Sequence, residues 1–332
     1  MSSSRTLGTV IGRRILNVSA AALLIMVAGV VSAQAPAPTS YPSKPITLVI
    51  PAAAGGGLDV SMRHIARHLS ETLGTQVIVE NRPSMNLLIG TRQVVSAAPD
   101  GYTLLAISNT FIGAPVFVEG AGYDPFRDFV AIAPTAQAPN LLLVTTASGI
   151  TSIRELVERA KKPGANVTFG TAGIGSSPHI AAALFAKATN IEFTDVPYKG
   201  AGPAMIDLLG GRITGLFDSV SSSIPHIKAG TLRALAGTTI KRSSLAPDIP
   251  AMAEVLNQPD FDLPLFYGIA APAKTPPEIV RILHTALSKA AADPTLRERF
   301  AGIGFDTQSV ESPADYTRFL QQQFEKFKRL KN

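Results

Sequence analysis

The chain has 332 residues, of which 46% are hydrophobic and only 16% charged, a composition typical of a folded globular protein and not of a disordered one. This length indicates two domains, and the mild net charge of +6, with no basic stripe among aromatic residues, argues against a nucleic-acid partner. Cysteine is absent, which excludes disulfides, thiol catalysis, thiolate metal sites and a lipid-modified cysteine.

The chain begins with the pattern of an export signal. Three arginines and no acidic residue precede an apolar run over residues 18–31. The run is shorter than the roughly 20 residues that span a bilayer, so cleavage is favoured over a membrane anchor. Small residues follow and allow cleavage after Ala33. The sequence therefore predicts a signal peptide over residues 1–33 and a mature protein in the periplasm.

Strands and helices are predicted to alternate in the first part of the mature chain. The glycine-rich turn at residues 51–57 joins the first strand to the first helix. Such alternation predicts parallel strands that are joined by right-handed crossovers. Strands are predicted at residues 46–50, 76–80 and 102–107, and helices at 60–73 and 87–97.

The alternation starts again after residue 140. Strands are predicted at 141–145, 167–170, 191–196, 213–217, 232–236 and 265–271, with helices at 152–161, 178–188 and 203–209. Three more helices are predicted at 276–292, 294–301 and 313–330. The last helix is basic and amphipathic, and we expect its apolar stripe to pack on the protein rather than on a membrane.

Each half of the chain contains a buried strand, a glycine-rich turn and the start of a helix. In the second half, Ser176 or Ser177 can cap the helix, and Pro178 suits its first turn. In open α/β sheets, ligands bind at the carboxyl ends of strands beside helix N-termini, which favour anions. The sequence therefore predicts two lobes that face each other across a cleft, with an anion-binding helix start on each side.

Two segments resemble nucleotide-binding motifs, but each lacks residues that its motif requires. The sequence from Gly173 through Gly175 to Pro178, with Asp195 beyond it, imitates a dinucleotide fingerprint, but proline stands where the third glycine is needed. The glycines of the first turn are not followed by the Gly-Lys-Ser/Thr of a P-loop. No cofactor is expected.

Two arrangements of polar residues suggest other chemistry. His64 and His68 have the i, i+4 spacing of a zinc pair, but no third ligand is evident, so no metal is expected. Ser176, His179 and Asp218 suggest a catalytic triad, but the Gly-x-Ser-x-Gly elbow is missing. An exported hydrolase using Ser176 and His179 therefore remains the second hypothesis, and the leading one is a binding protein without catalytic residues.

Several motifs, in order along nearly all of the mature chain, resemble those of the periplasmic substrate-binding proteins of tripartite tricarboxylate transporters, the Bug receptor family. They lie at residues 41–46, 51–59, 79–83 (Val-Glu-Asn-Arg-Pro), 98–105 (Ala-Pro-Asp-Gly-Tyr-Thr-Leu-Leu), 173–179 (Gly-Ile-Gly-Ser-Ser-Pro-His), 196–200 (Val-Pro-Tyr-Lys-Gly), 207–211 and 225–230.

The resemblance implies an α/β fold of the two-lobed periplasmic-binding-protein type (type II-like, the Venus flytrap fold), with the ligand cleft between the lobes. It implies lobe 1 at residues 34–138 and 259–332, and lobe 2 at 139–258. It also implies a monomer that captures a small carboxylate by lobe closure and delivers it to membrane transporter subunits. A receptor that presents the closed form to a signalling partner remains a third hypothesis.

The resemblance also implies which residues bind the ligand. The two glycine-rich turns are expected to hold a carboxylate, and other polar residues to line the sides of the cleft. For Asp59, a purely structural role at the helix start stays open beside ligand binding. The implied residues are Ala53, Ala54, Gly55, Gly56, Asp59, Ser108, Asn109, Thr171, Ala172, Ser176, Ser177, His179, Tyr198 and Asp218.

Two departures from the family pattern bear on the ligand. The family usually has an aromatic residue where this chain has Ala52, so the first turn is expected to be roomier. Residues 84–88 (Ser-Met-Asn-Leu-Leu) stand where the family tends to have a glycine-rich stretch, which makes the rim of the cleft more apolar. We therefore hypothesise a ligand that is larger or more hydrophobic than a simple C4 dicarboxylate.

Overall fold

A computed structural model describes residues 41–198 and 201–331 of the chain. The predicted signal peptide, residues 1–33, lies outside the described residues, as does Lys199. All strands and helices named below belong to the unit that begins at Lys44. No helix in the described ranges has the length and apolar character that crossing a membrane requires.

Ten strands lie within the described residues. They are β1 (Ile46–Ile50), β2 (Val77–Asn81), β3 (Thr103–Ser108), β4 (Phe129–Thr145), β5 (Thr168–Thr171), β6 (Thr194–Pro197), β7 (Gly215–Ser219), β8 (Leu232–Gly237), β9 (Pro264–Pro272) and β10 (Asp306–Thr307).

The same ranges contain eleven α-helices and two 3₁₀ helices. The α-helices are α1 (Gly57–Leu73), α2 (Leu88–Val95), α3 (Asn109–Phe117), α4 (Ile153–Ala160), α5 (Ser177–Thr189), α6 (Ala201–Leu209), α7 (Val220–Lys228), α8 (Met252–Leu256), α9 (Pro277–Ala292), α10 (Pro294–Gly302) and α11 (Pro313–Lys331), and the 3₁₀ helices are Met85–Leu87 and Thr146–Ser148.

The sheet is mixed, in the order β2-β1-β3-β9-β4-β7-β5-β6, with β8 and β10 also paired to β4. The parallel arrangement that the sequence predicts is confirmed for β1 with β2 and β3, and for β5 with β6 and β7. It is wrong at the centre, where β9 runs antiparallel to β3 and β4, and β4 runs antiparallel to β7. Strands β4 and β9 are antiparallel, and antiparallel neighbours do not require the crossover connection that parallel strands need.

Strand β4, which is 17 residues long, connects the two groups of parallel strands through antiparallel pairs. Its first part, to Pro139, pairs with β9, whereas Asn140 to Thr145 pair with β7 and β8. The register shifts at three places along the strand, and such irregularities bend a strand and increase its twist. The lobe boundaries at residues 138/139 and 258/259 stay predictions.

The core is largely aliphatic, with an aromatic cluster under β5. The Phe169 ring lies 5.6 Å from that of Phe217 and 6.1 Å from that of Phe185, within the range of favourable edge and offset contacts. Helix α11 buries Tyr316 and Phe327 and so packs on the protein, as expected from its apolar stripe.

Several elements are absent from the sequence prediction, among them the short helix α8 and strand β10, and three longer ones show why. Helix α3 is buried almost all round and contains Gly113 and Pro115, so it shows no amphipathic period. The first twelve residues of β4 contain Pro134 and Pro139, which obscure a strand pattern. Helix α7 is rich in serine and contains Pro225.

Candidate functional site

The first glycine-rich turn is fixed by the buried carboxylate of Asp59. Its Oδ2 accepts hydrogen bonds from the Gly55 amide at 2.9 Å and from Arg63 Nε at 3.0 Å, and its Oδ1 accepts from Asn81 Nδ2 at 2.8 Å. Asn81 Nδ2 also donates to the carbonyl oxygen of Ala52 at 3.1 Å. Donors from the turn, from α1 and from β2 thus engage both oxygens of the carboxylate, which favours the structural role for Asp59.

The same turn leaves the start of α1 open. Gly56 occupies the N-cap position without a side-chain cap, and the first helical bond runs from the Val60 amide to the Gly56 carbonyl at 2.9 Å. The amides of Gly57 and Leu58 have no partner among the described residues, so they are free to bind an anion. The exposed residues of the turn are Ala53, Ala54, Gly55 and Gly56.

The second turn, at the end of β5, is built from buried hydroxyl groups. Thr171 Oγ1 accepts from the Gly173 amide at 3.1 Å, and Ser176 Oγ accepts from the His179 amide at 3.4 Å as the cap of α5. Ala172 is half-buried between them. Each hydroxyl therefore serves the turn as an acceptor.

Ser177 connects the second turn to β4. Its Oγ accepts from Asn140 Nδ2 at 3.2 Å, and Asn140 pairs with Ser219 at the end of β7. None of the hydroxyls of Thr171, Ser176 and Ser177 donates its own proton to a described residue. Three buried hydroxyl protons therefore remain available in the second turn, and an anion is the partner that would use them best.

His179 is engaged within the turn. Its Nδ1 accepts from the Gly175 amide at 3.3 Å, which assigns the ring proton to Nε2. Burial lowers the pKa of His179 although the charge of Asp195 raises it, so the ring is neutral near pH 7. A ring whose free nitrogen carries a proton cannot take a proton from Ser176, which argues against the hydrolase hypothesis.

Ser108 and Asn109 lie where β3 ends, but only the Asn109 side chain is hydrogen-bonded to the protein. The Asn109 carboxamide donates to the Pro264 carbonyl at 2.9 Å and accepts from the Phe266 amide at 3.0 Å, so it fastens α3 to β9. Ser108 stands opposite Tyr267 in the β3–β9 pair, and its hydroxyl has no partner among the described residues. Ser108 is thus available to a ligand.

The Tyr198 hydroxyl is turned toward α6. It donates to Asp207 Oδ2 at 2.7 Å, and Asp207 Oδ1 accepts from Arg212 Nη1 at 2.6 Å. Burial and the Asp207 carboxylate raise the pKa of Tyr198 to about 12. The backbone amide of Tyr198 bonds to the Thr171 carbonyl at 2.7 Å, which keeps the residue beside the second turn.

Asp218 is buried at the end of β7. Its Oδ1 accepts from the Ser219 amide at 2.8 Å and its Oδ2 from Ser222 Oγ at 2.7 Å. Burial raises the pKa of Asp218, and these hydrogen bonds with the nearby His226 offset that only in part. Each carboxyl oxygen has one further lone pair for another donor.

Tyr267, on β9, is a residue that the sequence interpretation missed. A methyl group built on Gly57 would lie only 2.9 Å from its hydroxyl oxygen and 3.5 Å from the ring of Phe305. Burial and, to a smaller extent, the charge of Asp218 raise the pKa of Tyr267. The Tyr267 hydroxyl therefore lies against the start of α1.

A contact joins the two halves near the rim. A Cβ built on Gly173 would lie 2.9 Å from Asn86 Oδ1 and 3.5 Å from Met85 Cγ, so the 3₁₀ segment touches the second turn. A Cβ built on Gly90, in the helix α2 that follows this segment, would lie 2.8 Å from that of Pro51 at the start of the first turn. The continuous stretch from Met85 to Gly90 thus contacts both glycine-rich turns.

Within residues 41–198 and 201–331, no group of three or more histidine, aspartate, glutamate or cysteine side chains could hold a metal ion. His64 lies 6.2 Å from the ring of Phe300, and burial lowers its pKa. His68 Nε2 is buried without a partner among the described residues. That no cofactor or metal is required stays a prediction.

The family model of the tripartite tricarboxylate transporter family receptor matches residues 61–332. The chain belongs to this receptor family. It is 34% identical over 284 residues to the protein BugT of Bordetella pertussis, a match that covers 84% of this chain and 85% of BugT. The resemblance that the motifs indicated is therefore confirmed.

Solved structures agree with this assignment. The periplasmic binding protein BugD is 32% identical, with a TM-score of 0.79 over 87% of this chain and 97% of BugD. Rpa4515 of R. palustris, solved with adipate, is 31% identical with a TM-score of 0.81 over 87% and 97% of the two chains. MatC of Rhodopseudomonas palustris, solved with malate, is 26% identical with a TM-score of 0.80 over 87% and 99%.

The family and these structures establish the general character of the receptor. The α/β, two-lobed periplasmic-binding-protein fold is confirmed. The family is one of solute-binding receptors of the periplasm and not of enzymes. Its receptors serve tripartite transporters, and neighbouring structures hold small carboxylates.

Proposed function

We propose that this receptor captures a small organic acid between two lobes and delivers it to the membrane subunits of a tripartite transporter. One observation carries the proposal. The free amides of Gly57 and Leu58 at the start of α1, and the undonated hydroxyl protons of Thr171, Ser176 and Ser177, offer hydrogen bonds from both halves of the chain to one carboxylate. Bonds of this kind are charge-assisted and roughly twice as strong as neutral ones.

Lobe closure is part of the proposal. Because the donors belong to different halves of the chain, a ligand can bond to all of them only when the halves approach each other, and its binding shifts the population toward that form. We expect the radius of gyration from small-angle scattering to fall on addition of the ligand. An unchanged radius with a bound ligand would argue against closure.

The ligand is proposed to be longer or more apolar than a C4 dicarboxylate. Three apolar side chains near the rim are exposed, Met85 by 62%, Ile89 by 61% and Ile174 by 51%. Adipate, which Rpa4515 holds, has the length that such a rim would suit. Covering this apolar area would contribute roughly 25 cal/mol per Å² removed from water.

Ser176→Ala tests the carboxylate site. The change removes one hydroxyl donor, and we expect a loss of affinity of about 10-fold or more, since a hydrogen bond to a charged group contributes about 1.5–3 kcal/mol. Titration calorimetry with adipate, malate, succinate and 2-aminoadipate, first on the wild type, provides the measurement.

Ser152→Ala is the matched control. Ser152 Oγ caps α4 by accepting from the Glu155 amide at 3.2 Å, as Ser176 caps α5. Both variants should lose about 1 kcal/mol of stability, but only Ser176→Ala should lose affinity. Equal affinities in the two variants, or no binding of any small acid to the wild type, would contradict the proposal.

Delivery to the transporter is tested in cells. Uptake of the radiolabelled acid that binds best should depend on the gene for this chain and be restored by the wild-type protein. Ser152→Ala should restore uptake and Ser176→Ala should not, at concentrations near the dissociation constant of the wild type. Uptake that is the same with and without the gene would refute delivery.

A further inference from the structure

Two consecutive residues of the rim stretch, residues 84–88, have a strained backbone. The φ angles of Asn86 and Leu87 are 54° and 60°, in the left-handed region. That region suits glycine and tolerates asparagine, but it is costly for a residue such as leucine. Strain of this kind persists only where surrounding contacts hold it, and it is concentrated at ligand clamps and switch regions. The strain therefore indicates that the rim stretch has a role in binding.

The rim stretch is fastened to the first half of the chain. Ser84 Oγ accepts from the Ile89 amide at 2.9 Å, and Thr91 Oγ1 donates to the Leu87 carbonyl at 2.7 Å. Helix α2, which follows directly, is packed on Pro51 at the start of the first glycine-rich turn. The stretch should therefore move together with the first turn when the two halves of the chain move relative to each other.

Asn86 presents a buried oxygen without a partner to the second turn. Its Oδ1 is buried and forms no hydrogen bond with the described residues. A Cβ built on Gly173 would lie only 2.9 Å from this oxygen, so the oxygen lies against the backbone of the second turn. A buried acceptor without a donor costs free energy and calls for an explanation. A donor on the second turn would supply one.

The amide of Ile174 is a donor that suits this oxygen. Its nitrogen is bonded to the carbonyl carbon of Gly173, and it has no hydrogen-bond partner among the described residues. The amides of its two neighbours, by contrast, are engaged by side chains at 3.1 Å and 3.3 Å. The Ile174 amide and the Asn86 oxygen are therefore complementary groups, both without a partner, on opposite sides of the contact between the halves.

We propose that Asn86 is a positioning residue of the receptor. When a ligand draws the halves together, Asn86 Oδ1 accepts a hydrogen bond from the Ile174 amide and so holds the second turn over the bound acid. Met85 Cγ, 3.5 Å from a Cβ built on Gly173, lies beside this bond and shields it from water. The inference rests on the proposed function, because it requires closure around a ligand.

Asn86→Gly tests the proposal without straining the backbone, since glycine adopts the left-handed conformation freely. The variant lacks the oxygen, so its affinity for every acid should fall by about 3–10-fold, the contribution of one neutral hydrogen bond. The loss should lie in a faster dissociation, with the association rate constant within about twofold of the wild type, because the bond forms after the encounter. Surface plasmon resonance with adipate, malate, succinate and 2-aminoadipate measures both rates.

Hydrogen exchange at the Ile174 amide measures the bond directly. At a saturating concentration of the acid, exchange of this amide should slow by about 10-fold or more in the wild type. In Asn86→Gly, saturated with the same acid, the amide should remain unprotected. NMR exchange spectra of the isotope-labelled protein resolve this amide from its neighbours.

Asn257→Gly is the matched control. Asn257 is also an asparagine with a left-handed backbone, at a φ of 53°, but it is exposed at the end of α8. Glycine there removes the same side chain from the same conformation and should leave the dissociation rate and the protection of Ile174 unchanged. Thermal unfolding of both variants establishes that they are folded.

The outcomes separate this inference from the proposed function. If acids bind but Asn86→Gly dissociates at the wild-type rate or still protects the Ile174 amide, the inference is wrong and the proposed function stands. A loss of affinity confined to one acid of the four would show that Asn86 binds the ligand itself, which also overturns the inference. If no acid binds to the wild type, both are wrong. A uniform rise in dissociation rate in Asn86→Gly alone, with loss of protection, supports the inference.

Discussion

The Asp59 carboxylate holds the first turn in place through its hydrogen bonds. Its ionisation also affects the free energy of unfolding. Burial raises its pKa, but the hydrogen bonds from Arg63, Gly55 and Asn81 outweigh burial and hold the pKa below its usual value of 3.8. A carboxyl whose pKa is lower in the folded state stabilises the fold above its unfolded pKa. That stabilisation is lost as the pH falls through the folded pKa.

Asp59→Asn should therefore destabilise the protein in a pH-dependent way. We expect a loss of about 2 kcal/mol in the free energy of unfolding at pH 7, because charged hydrogen bonds to Arg63 and two other donors are weakened. The loss should shrink as the pH is lowered below about 4, where the wild-type carboxyl also becomes protonated. Urea unfolding at pH 7 and pH 3 measures both values.

Asp100→Asn is the control for this prediction. Asp100 pairs with Lys44 at 3.3 Å, but both side chains are largely exposed, so the pair should contribute under about 1 kcal/mol. A loss in Asp59→Asn that is no larger than in Asp100→Asn would show that the first turn does not depend on the buried carboxylate.

Single residues show where interpretation of the sequence succeeds and where it fails. The hydroxyl-rich second turn was predictable, because serine before proline at a helix start is a local pattern. Tyr267 was not, since it stands within an apolar strand and only the folded chain shows that its hydroxyl faces Gly57. Asn109 lies at the predicted strand end, but its carboxamide is bonded to β9, which is distant in sequence.

At the scale of elements, helix α3 packs directly against the second turn. A Cβ built on Gly113 would lie 2.5 Å from the carbonyl oxygen of Gly175 and 2.8 Å from Ile180 Cδ1. The ring of Phe117, at the end of the helix, lies 5.6 Å from that of His179. The helix and the turn are therefore in direct backbone contact.

Gly113→Ala should disturb this contact. The added methyl group would meet a backbone carbonyl that cannot rotate away, so we expect a destabilisation of about 1–3 kcal/mol. The affinity for the acid should also fall, because the turn carries Ser176 and Ser177. Denaturant unfolding and calorimetric titration measure the two effects.

Gly202→Ala provides the comparison, since nothing lies within 4 Å of a Cβ at that position in α6. In that helix alanine should be neutral or stabilising by up to about 1 kcal/mol. Wild-type stability in Gly113→Ala would mean that α3 and the turn move apart at little cost.

Elements whose hydrophobic pattern is clear in the sequence were predicted well. Elements without such a pattern were missed. Strands β1, β5 and β8 lie within a residue of their predicted bounds, because each is a short apolar run beside turn residues. Helix α3 is apolar on all sides and therefore has no period to detect. The first part of β4 is a strand because β9 pairs with it, a tertiary effect that the local sequence does not contain.

At the scale of the whole molecule, the proposed cleft would hold an anion without a cationic side chain. None of the residues assigned to the carboxylate is a lysine or arginine, and His179 is neutral near pH 7. Attraction then comes from amide and hydroxyl dipoles at short range, which salt screens little. The net charge of +6 includes three arginines of the predicted signal peptide and adds only a weak field to the mature protein.

The dissociation constant should therefore change by less than about threefold between 50 mM and 500 mM sodium chloride. Calorimetric titration at the two concentrations measures the change, and potassium fluoride in place of the chloride reveals any competition by that anion. A loss of affinity of 10-fold or more in both salts would point instead to a cationic side chain in the site.

The position of Tyr267 also gives the receptor an optical signal of its own. The chain has six tyrosines and no tryptophan, so tyrosine emission is not lost by energy transfer to an indole. A solute that bonds to the Tyr267 phenol should change the intensity of that emission, without any attached dye. Tyr267→Phe should remove most of the change, which would make the unmodified protein a fluorescent reporter of its own occupancy.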